Sequence, residues 1–122
     1  MTISVRVLDT TGGRPVSGLP VSLYRRSDSG TWSRLARVRT DARGHVRSFT
    51  DRPLPGGSYR LVFATGDHFG DQGADALYTE IILTLQYPGD AARLHVPLFL
   101  SPFSHSTCRG NPRSTPHPAL TT

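Results

Sequence analysis

Apolar residues alternate with polar ones along most of the chain. Ile3, Val5 and Val7 recur at every second position, and so do Val21 and Leu23, then Tyr59, Leu61 and Phe63, then Ile81, Leu83 and Leu85, and finally Leu94, Val96, Leu98 and Leu100. A period of two is that of a β-strand with one buried face. Between these runs stand clusters of turn formers: Thr11-Gly12-Gly13-Arg14-Pro15, Ser27-Asp28-Ser29-Gly30, Asp41-Ala42-Arg43-Gly44 and Pro53-Leu54-Pro55-Gly56-Gly57-Ser58. Strands separated at this spacing by Gly, Pro, Asp and Ser predict an all-β sandwich of seven or eight strands. One short helix is predicted over 67–76, and Gly70 and Gly73 limit it to a couple of turns.

The phase of each strand also says which residues leave the core. With Ile3, Val5 and Val7 inward, Ser4 and Arg6 face outward, and Arg93 and His95 face outward from the last strand. Pro97 and Phe99 share that outer face with His95. Such a face is too apolar for bare surface and predicts a subunit interface. After Gly110 the composition shifts, with three prolines in the last twelve residues. Proline opposes strand pairing and few apolar groups remain to offset ordering, so residues 1–111 are expected to form the domain and 112–122 a flexible tail.

Length and charge narrow the functions. A chain of 122 residues makes one domain that buries roughly two thirds of its unfolded surface without a disulfide or metal. The single Cys108 has no internal partner, and Met1-Thr2-Ile3-Ser4-Val5-Arg6 lacks the features of a signal peptide, so a cytoplasmic setting is expected. No apolar run has the length to span a bilayer, and no membrane partner is expected. All fourteen basic residues are Arg, which excludes Schiff-base lysines and a P-loop lysine. The net charge is +5, yet the arginines are scattered from Arg6 to Arg113 and form no stripe interleaved with aromatics. That distribution argues against nucleic acid and for a small anionic or enolic substrate.

Several segments together resemble a known family. Arg93-Leu94-His95-Val96-Pro97-Leu98-Phe99-Leu100-Ser101-Pro102, with Cys108-Arg109-Gly110 after it, is similar to the C-terminal signature of the transthyretin-like family, whose enzymes are 5-hydroxyisourate hydrolases. Val7-Leu8-Asp9-Thr10, Gly13-Arg14-Pro15-Val16 and Leu19-Pro20-Val21-Ser22-Leu23-Tyr24-Arg25 resemble the opening strands. Thr40-Asp41-Ala42-Arg43-Gly44-His45 resembles the family's Asp-Gly-Arg turn, and Tyr59-Arg60-Leu61-Val62-Phe63 the strand before its short helix. The resemblance implies two four-stranded sheets packed face to face and a homotetramer with active sites in a channel. It also implies hydrolysis of a ring amide in a small purine-derived heterocycle, with no metal and no cofactor. The alternative it allows is a non-catalytic tetramer that binds a small ligand in that channel, as transthyretin binds thyroid hormone.

The family's site usually holds a first-strand His, a turn Arg, the His of the His-Val-Pro strand and a terminal Tyr-Arg-Gly-Ser. Here His95, Arg109 and Gly110 match it. Arg6 stands for the first His, His45 for the turn Arg, Cys108 for the Tyr and Asn111 for the Ser. Arg6 and His45 thus amount to an exchange of residue types between two positions, and Arg43 or Arg47 is close enough in sequence to serve as a turn cation. His95, with an ordinary pKa of about 6.5 that a nearby Arg6 or Arg93 would lower, is the expected base. Arg6 is the expected clamp for an oxyanion or enolate. His45 is the expected second imidazole, and Arg109, Cys108, Asn111 and Arg47 are the expected substrate contacts. Cys108 also reads as a small apolar filler. His68 and His117 are expected to be solvated, and alternation sets His105 opposite its neighbours Ser104 and Ser106, against a Ser-His pair.

Overall fold

The computed structural model describes residues 3–71, 73, 75–90 and 92–110. Asn111, His117 and the expected tail at 112–122 lie outside the described residues. The elements in chain order are β1 (Ile3–Asp9), β2 (Arg14–Pro15), β3 (Pro20–Arg26), β4 (Trp32–Arg39), β5 (His45–Val46), β6 (Gly57–Phe63), α1 (Thr65–Asp71), β7 (Ile81–Tyr87), β8 (Leu94–Ser101) and β9 (Ser104–Thr107). One sheet runs β2-β1-β8-β9, with β5 also paired to β1, and the other runs β4-β3-β6-β7. The two-sheet sandwich is therefore the fold that the alternation predicts, with nine strands among the described residues where seven or eight are expected and with five, not four, in the first sheet, because the two-residue strands β2 and β5 are too short to show a period. No helix among the described residues is long and apolar enough to cross a membrane.

The period of two sets the core. Ile3, Val5 and Val7 of β1 and Val96, Leu98 and Leu100 of β8 meet Val21 and Leu23 of β3 and Tyr59, Leu61 and Phe63 of β6, each at most 3% exposed. Each such side chain contributes roughly 1.5–3 kcal/mol by leaving water. Two large residues bring hydroxyls inside, and each hydroxyl donates to a carbonyl: Tyr59 Oη to Pro55 O and Tyr87 Oη to Ala92 O at 2.6 Å. On β7 the alternation weakens, since Leu83 and Leu85 are only half-buried and Ile82 is 48% exposed. That strand lies at the edge of its sheet, where one side has no neighbour.

The helix differs from the expected span of 67–76, starting at Thr65 and ending at Asp71. Its start follows packing: Phe69 is 3% exposed, and the Gly66 amide donates to Thr79 O at 2.9 Å. A Cβ on Gly66 would come within 2.8 Å of that carbonyl oxygen, so glycine permits the close approach. Gly73, with φ +69, already lies in the left-handed region that ends helices.

Two contacts of β1 matter for the rest of the molecule. Along one edge it runs parallel to β8, in the register Ser4↔His95, Val5↔Val96 and Arg6↔Pro97. Along the other it pairs with β5 in antiparallel sense, Val5↔Val46 and Arg6↔His45. The turn before β5 explains how two residues suffice for a strand. Asp41 Oδ1 accepts the amides of Arg43 and His45 at 2.8 and 2.9 Å, and the Val7 amide donates to Gly44 O at 2.8 Å. Gly44 has φ +79, and a Cβ there would collide with Val7 O. Replacing Gly44 by Ala should therefore cost about 3 kcal/mol or more, from left-handed strain plus a backbone clash. Urea denaturation measures this, and a loss below about 1 kcal/mol would contradict the assigned packing of the turn on β1.

Candidate active site

His45 and His95 reach one concavity from segments that are distant in sequence, and Arg6 stands beside it as the register partner of His45. Arg6 and His45 face each other directly across β1 and β5, and directly opposed residues have Cβ atoms about 4.5–5.5 Å apart. His95 enters from β8 beside Ser4. The imidazole rings of His45 and His95 lie edge to face with centroids 6.5 Å apart. The concavity, of about 390 Å3, is lined by Ser4, His45, Arg47, Arg93 and His95 over a floor that includes Val5 and Val46. No carboxylate is among its lining residues.

The His95 ring is held on two sides. Ser4 Oγ and His95 Nδ1 are 2.8 Å apart. On the other side the chain returns after β9, and Gly110 pairs with the backbone of His95, its amide donating to His95 O at 2.8 Å. A Cβ on Gly110 would lie 2.8 Å from His95 Cδ2 and 3.1 Å from His95 O. Glycine is thus the residue that fits against this ring.

Both imidazoles are held below the ordinary value of 6.5. For His95 burial is the largest cause, followed by the charges of His45 and Arg6. For His45 burial comes first and the Arg6 guanidinium second; Asp41 pulls the other way, and Arg47 and Arg43 add to the depression. Removing charge from water and placing it near cations both disfavour imidazolium, so the rings are neutral at pH 7. Arg6 Nε and His45 Nδ1 are buried and make no hydrogen bond to any described residue.

The other expected residues take different places. Arg47 lines the concavity and is exposed; Arg93, also exposed, stands just before β8 and lines it too. Arg43 is exposed in the turn. Cys108 is half-buried with a free thiol and Arg109 is exposed, and both lead directly into Gly110. His105 packs edge to face on Tyr78, with centroids 5.0 Å apart and no serine as partner. His68 is not solvated as the sequence suggests: its Nε2 lies 2.9 Å from Asp9 Oδ2, in a partly buried pair. Burial alone would raise the pKa of Asp9, but hydrogen bonds from His68 and the Thr11 amide outweigh it and hold the carboxyl below its ordinary range. That pair borders a second concavity of about 620 Å3 formed by Val16 to Pro20, Arg39 and α1, which neither His45 nor His95 lines. Among the described residues, no three His, Cys, Asp or Glu gather to hold a metal ion. Ser4 is the one site residue that sequence reasoning did not name as functional. Its signal was its place on the outer face of β1, two residues before Arg6.

Comparison with known proteins fits this geometry. The family model described as HIUase/Transthyretin family matches residues 3–110. A 5-hydroxyisourate hydrolase of Caulobacter vibrioides is 36% identical over 114 residues, covering 89% of this chain and 97% of that protein. The structure of Klebsiella pneumoniae 5-hydroxyisourate hydrolase superposes with a TM-score of 0.81 at 32% identity, over 91% of this chain and 100% of that one. The crystal structure of transthyretin from Sparus aurata gives a TM-score of 0.85 at 25% identity, over 89% and 96% of the two chains.

The depressed imidazoles have a consequence for stability. Below 6.5 the unfolded chain binds protons that folded His45 and His95 resist, so stability rises with pH through this window and is lost as pH falls. Urea midpoints should therefore drop between about pH 7 and pH 5, and the drop should be smaller in a His45→Gln, His95→Gln double variant. An equal slope in the two proteins would mean that the rings are not held neutral.

Proposed function

We propose a hydrolase of the 5-hydroxyisourate type for this chain, which belongs to the HIUase/Transthyretin family. The substrate is 5-hydroxyisourate or a closely related small nitrogen heterocycle, and the reaction opens a ring amide. His95 acts as general base, Arg6 as clamp for the developing oxyanion, and His45 as a second neutral imidazole beside them. The observation that carries this reading is that His45 and His95 line one concavity together with Arg47 and Arg93 and no carboxylate, with Arg6 directly opposite His45 in register.

The steps follow from the groups present. A neutral imidazole takes a proton from water as the oxygen attacks the ring carbonyl, and the guanidinium meets the negative charge that forms on the carbonyl oxygen. When the C–N bond breaks, the imidazolium returns its proton to the departing nitrogen. Arg6 suits its task because it keeps its own proton and offers planar donors. Its buried Nε, and Nδ1 of His45, make no hydrogen bond to any described residue, and an unmade bond of this kind costs about 1–3 kcal/mol that substrate oxygens or ring nitrogens can recover. Arg47, then Arg109 and Cys108 on the segment that leads into Gly110, and Asn111 after it in sequence, are proposed as substrate contacts.

The exchange of residue types between positions 6 and 45 supports a retained reaction. Because the two residues are register partners, a guanidinium and an imidazole still share one spot on the sheet, with their backbone origins reversed. The outer face that carries Arg6, His95, Pro97 and Phe99 is half-buried in a single chain. We assign its remaining cover to a homotetramer whose channel contains the sites, working in the cytoplasm.

Freshly generated 5-hydroxyisourate, followed by absorbance, tests the reaction. The purified chain should accelerate its decay, and His95→Ala and Arg6→Ala should each lower kcat/KM by about 100-fold or more. No acceleration by the unaltered protein would discard the hydrolase reading. Light scattering during size-exclusion chromatography should give four times the chain mass of 13.3 kDa. A stable monomer at micromolar concentration would remove the channel.

A further inference from the structure

We propose that Ser4 is a positioning residue for His95: its hydroxyl accepts the Nδ1 proton of the ring and leaves Nε2 as the nitrogen that exchanges protons with the substrate. The proposal rests on the hydrolase reading and adds to it a residue outside the family's usual site set.

The geometry is specific. Ser4 and His95 are register partners on adjacent parallel strands, both on the outer face, with Oγ and Nδ1 2.8 Å apart. Both residues line the same concavity. Nε2 of His95 makes no hydrogen bond to any described residue, so one ring nitrogen is anchored and the other is available. Gly110 passes so close to the ring that a Cβ there would lie 2.8 Å from Cδ2, next to Nε2.

A hydroxyl in this place has a different effect from a carboxylate. A neutral imidazole carries one proton, and which nitrogen holds it is set by the partner of the other. A serine oxygen accepts from Nδ1–H both when the ring is neutral and when it is imidazolium, so the contact survives the whole cycle. The Nδ1 proton stays in place, while the proton taken from water arrives at Nε2 and leaves from Nε2 to the departing nitrogen. A carboxylate would orient the ring equally well but would stabilise the imidazolium by its charge and make the second transfer harder. Serine fixes direction and leaves the basicity to burial and Arg6.

The test compares Ser4→Thr, which keeps a hydroxyl on a β-branched side chain suited to a strand, with Ser4→Val, which has the same shape without it. Nitrogen NMR of histidine-labelled protein at about pH 8 reads the tautomer without any turnover. The unaltered protein and Ser4→Thr should show His95 protonated at Nδ1, and Ser4→Val should shift towards protonation at Nε2. In the 5-hydroxyisourate assay Ser4→Val should lose about tenfold in kcat with KM nearly unchanged, the scale of one neutral hydrogen bond, and Ser4→Thr should recover most of it. A ring protonated at Nε2 in the unaltered protein overturns the proposal, as does Ser4→Val with unchanged tautomer and kcat. A chain that shows the Nδ1 tautomer but no hydrolysis would defeat the reaction and leave the orienting contact standing, so the two failures are distinguishable.

Discussion

The parallel pairing of β1 with β8 is the constraint on which the site depends. Residues at opposite ends of the described chain form a single register, and that register sets Ser4 beside His95 and Arg6 beside Pro97. It is fixed by packing, because Ile3, Val5 and Val7 alternate with the outward residues and must meet the core in phase with Val96, Leu98 and Leu100. A slip of one residue would turn every one of these side chains to the wrong face. The same inward residues that stabilise the sandwich therefore set the position of the base. β5 joins on the free edge of β1, and its two residues depend on the Asp41 and Gly44 turn for their place.

Electrostatics then give the cluster its character. The imidazoles lose charge through burial first and through neighbouring charge, Arg6 included, second. A pocket of neutral bases among fixed cations is suited to chemistry in which negative charge develops on a bound oxygen and a proton is moved nearby. The wide scatter of arginines that argued against a nucleic-acid stripe leaves Arg47 and Arg93 lining the concavity of His45 and His95, with Arg6 in register opposite His45.

Much of the fold was legible because alternation is a local signal. Ile3 to Val7 and Val96 to Leu100 declared their inner faces, and so, by subtraction, did Ser4, Arg6 and His95 on the outer ones. Less regular elements were not legible. β5 has only two residues, too short for any period, so the direct opposition of Arg6 and His45 could not be read from the chain. The helix was displaced because Thr65 and Phe69 answer to the core, and because Gly66 serves a close backbone approach that sequence does not announce. His68 reads as solvated from sequence alone, since its partner Asp9 lies 59 residues away at the end of β1. Ser4 escaped notice for a similar reason: a serine on an outer face is ordinary until the neighbouring strand is known to bring an imidazole to it.

A structure of the assembled protein with a non-hydrolysable purine-like acid bound is the most direct measurement of the central claim. The account requires the ligand to lie in the concavity beside Val5 and Val46, with a carbonyl or carboxylate oxygen on the Arg6 guanidinium and a ring atom facing Nε2 of His95. A ligand bound elsewhere, or one bound there with Arg6 turned away and His95 rotated off Ser4, would contradict it.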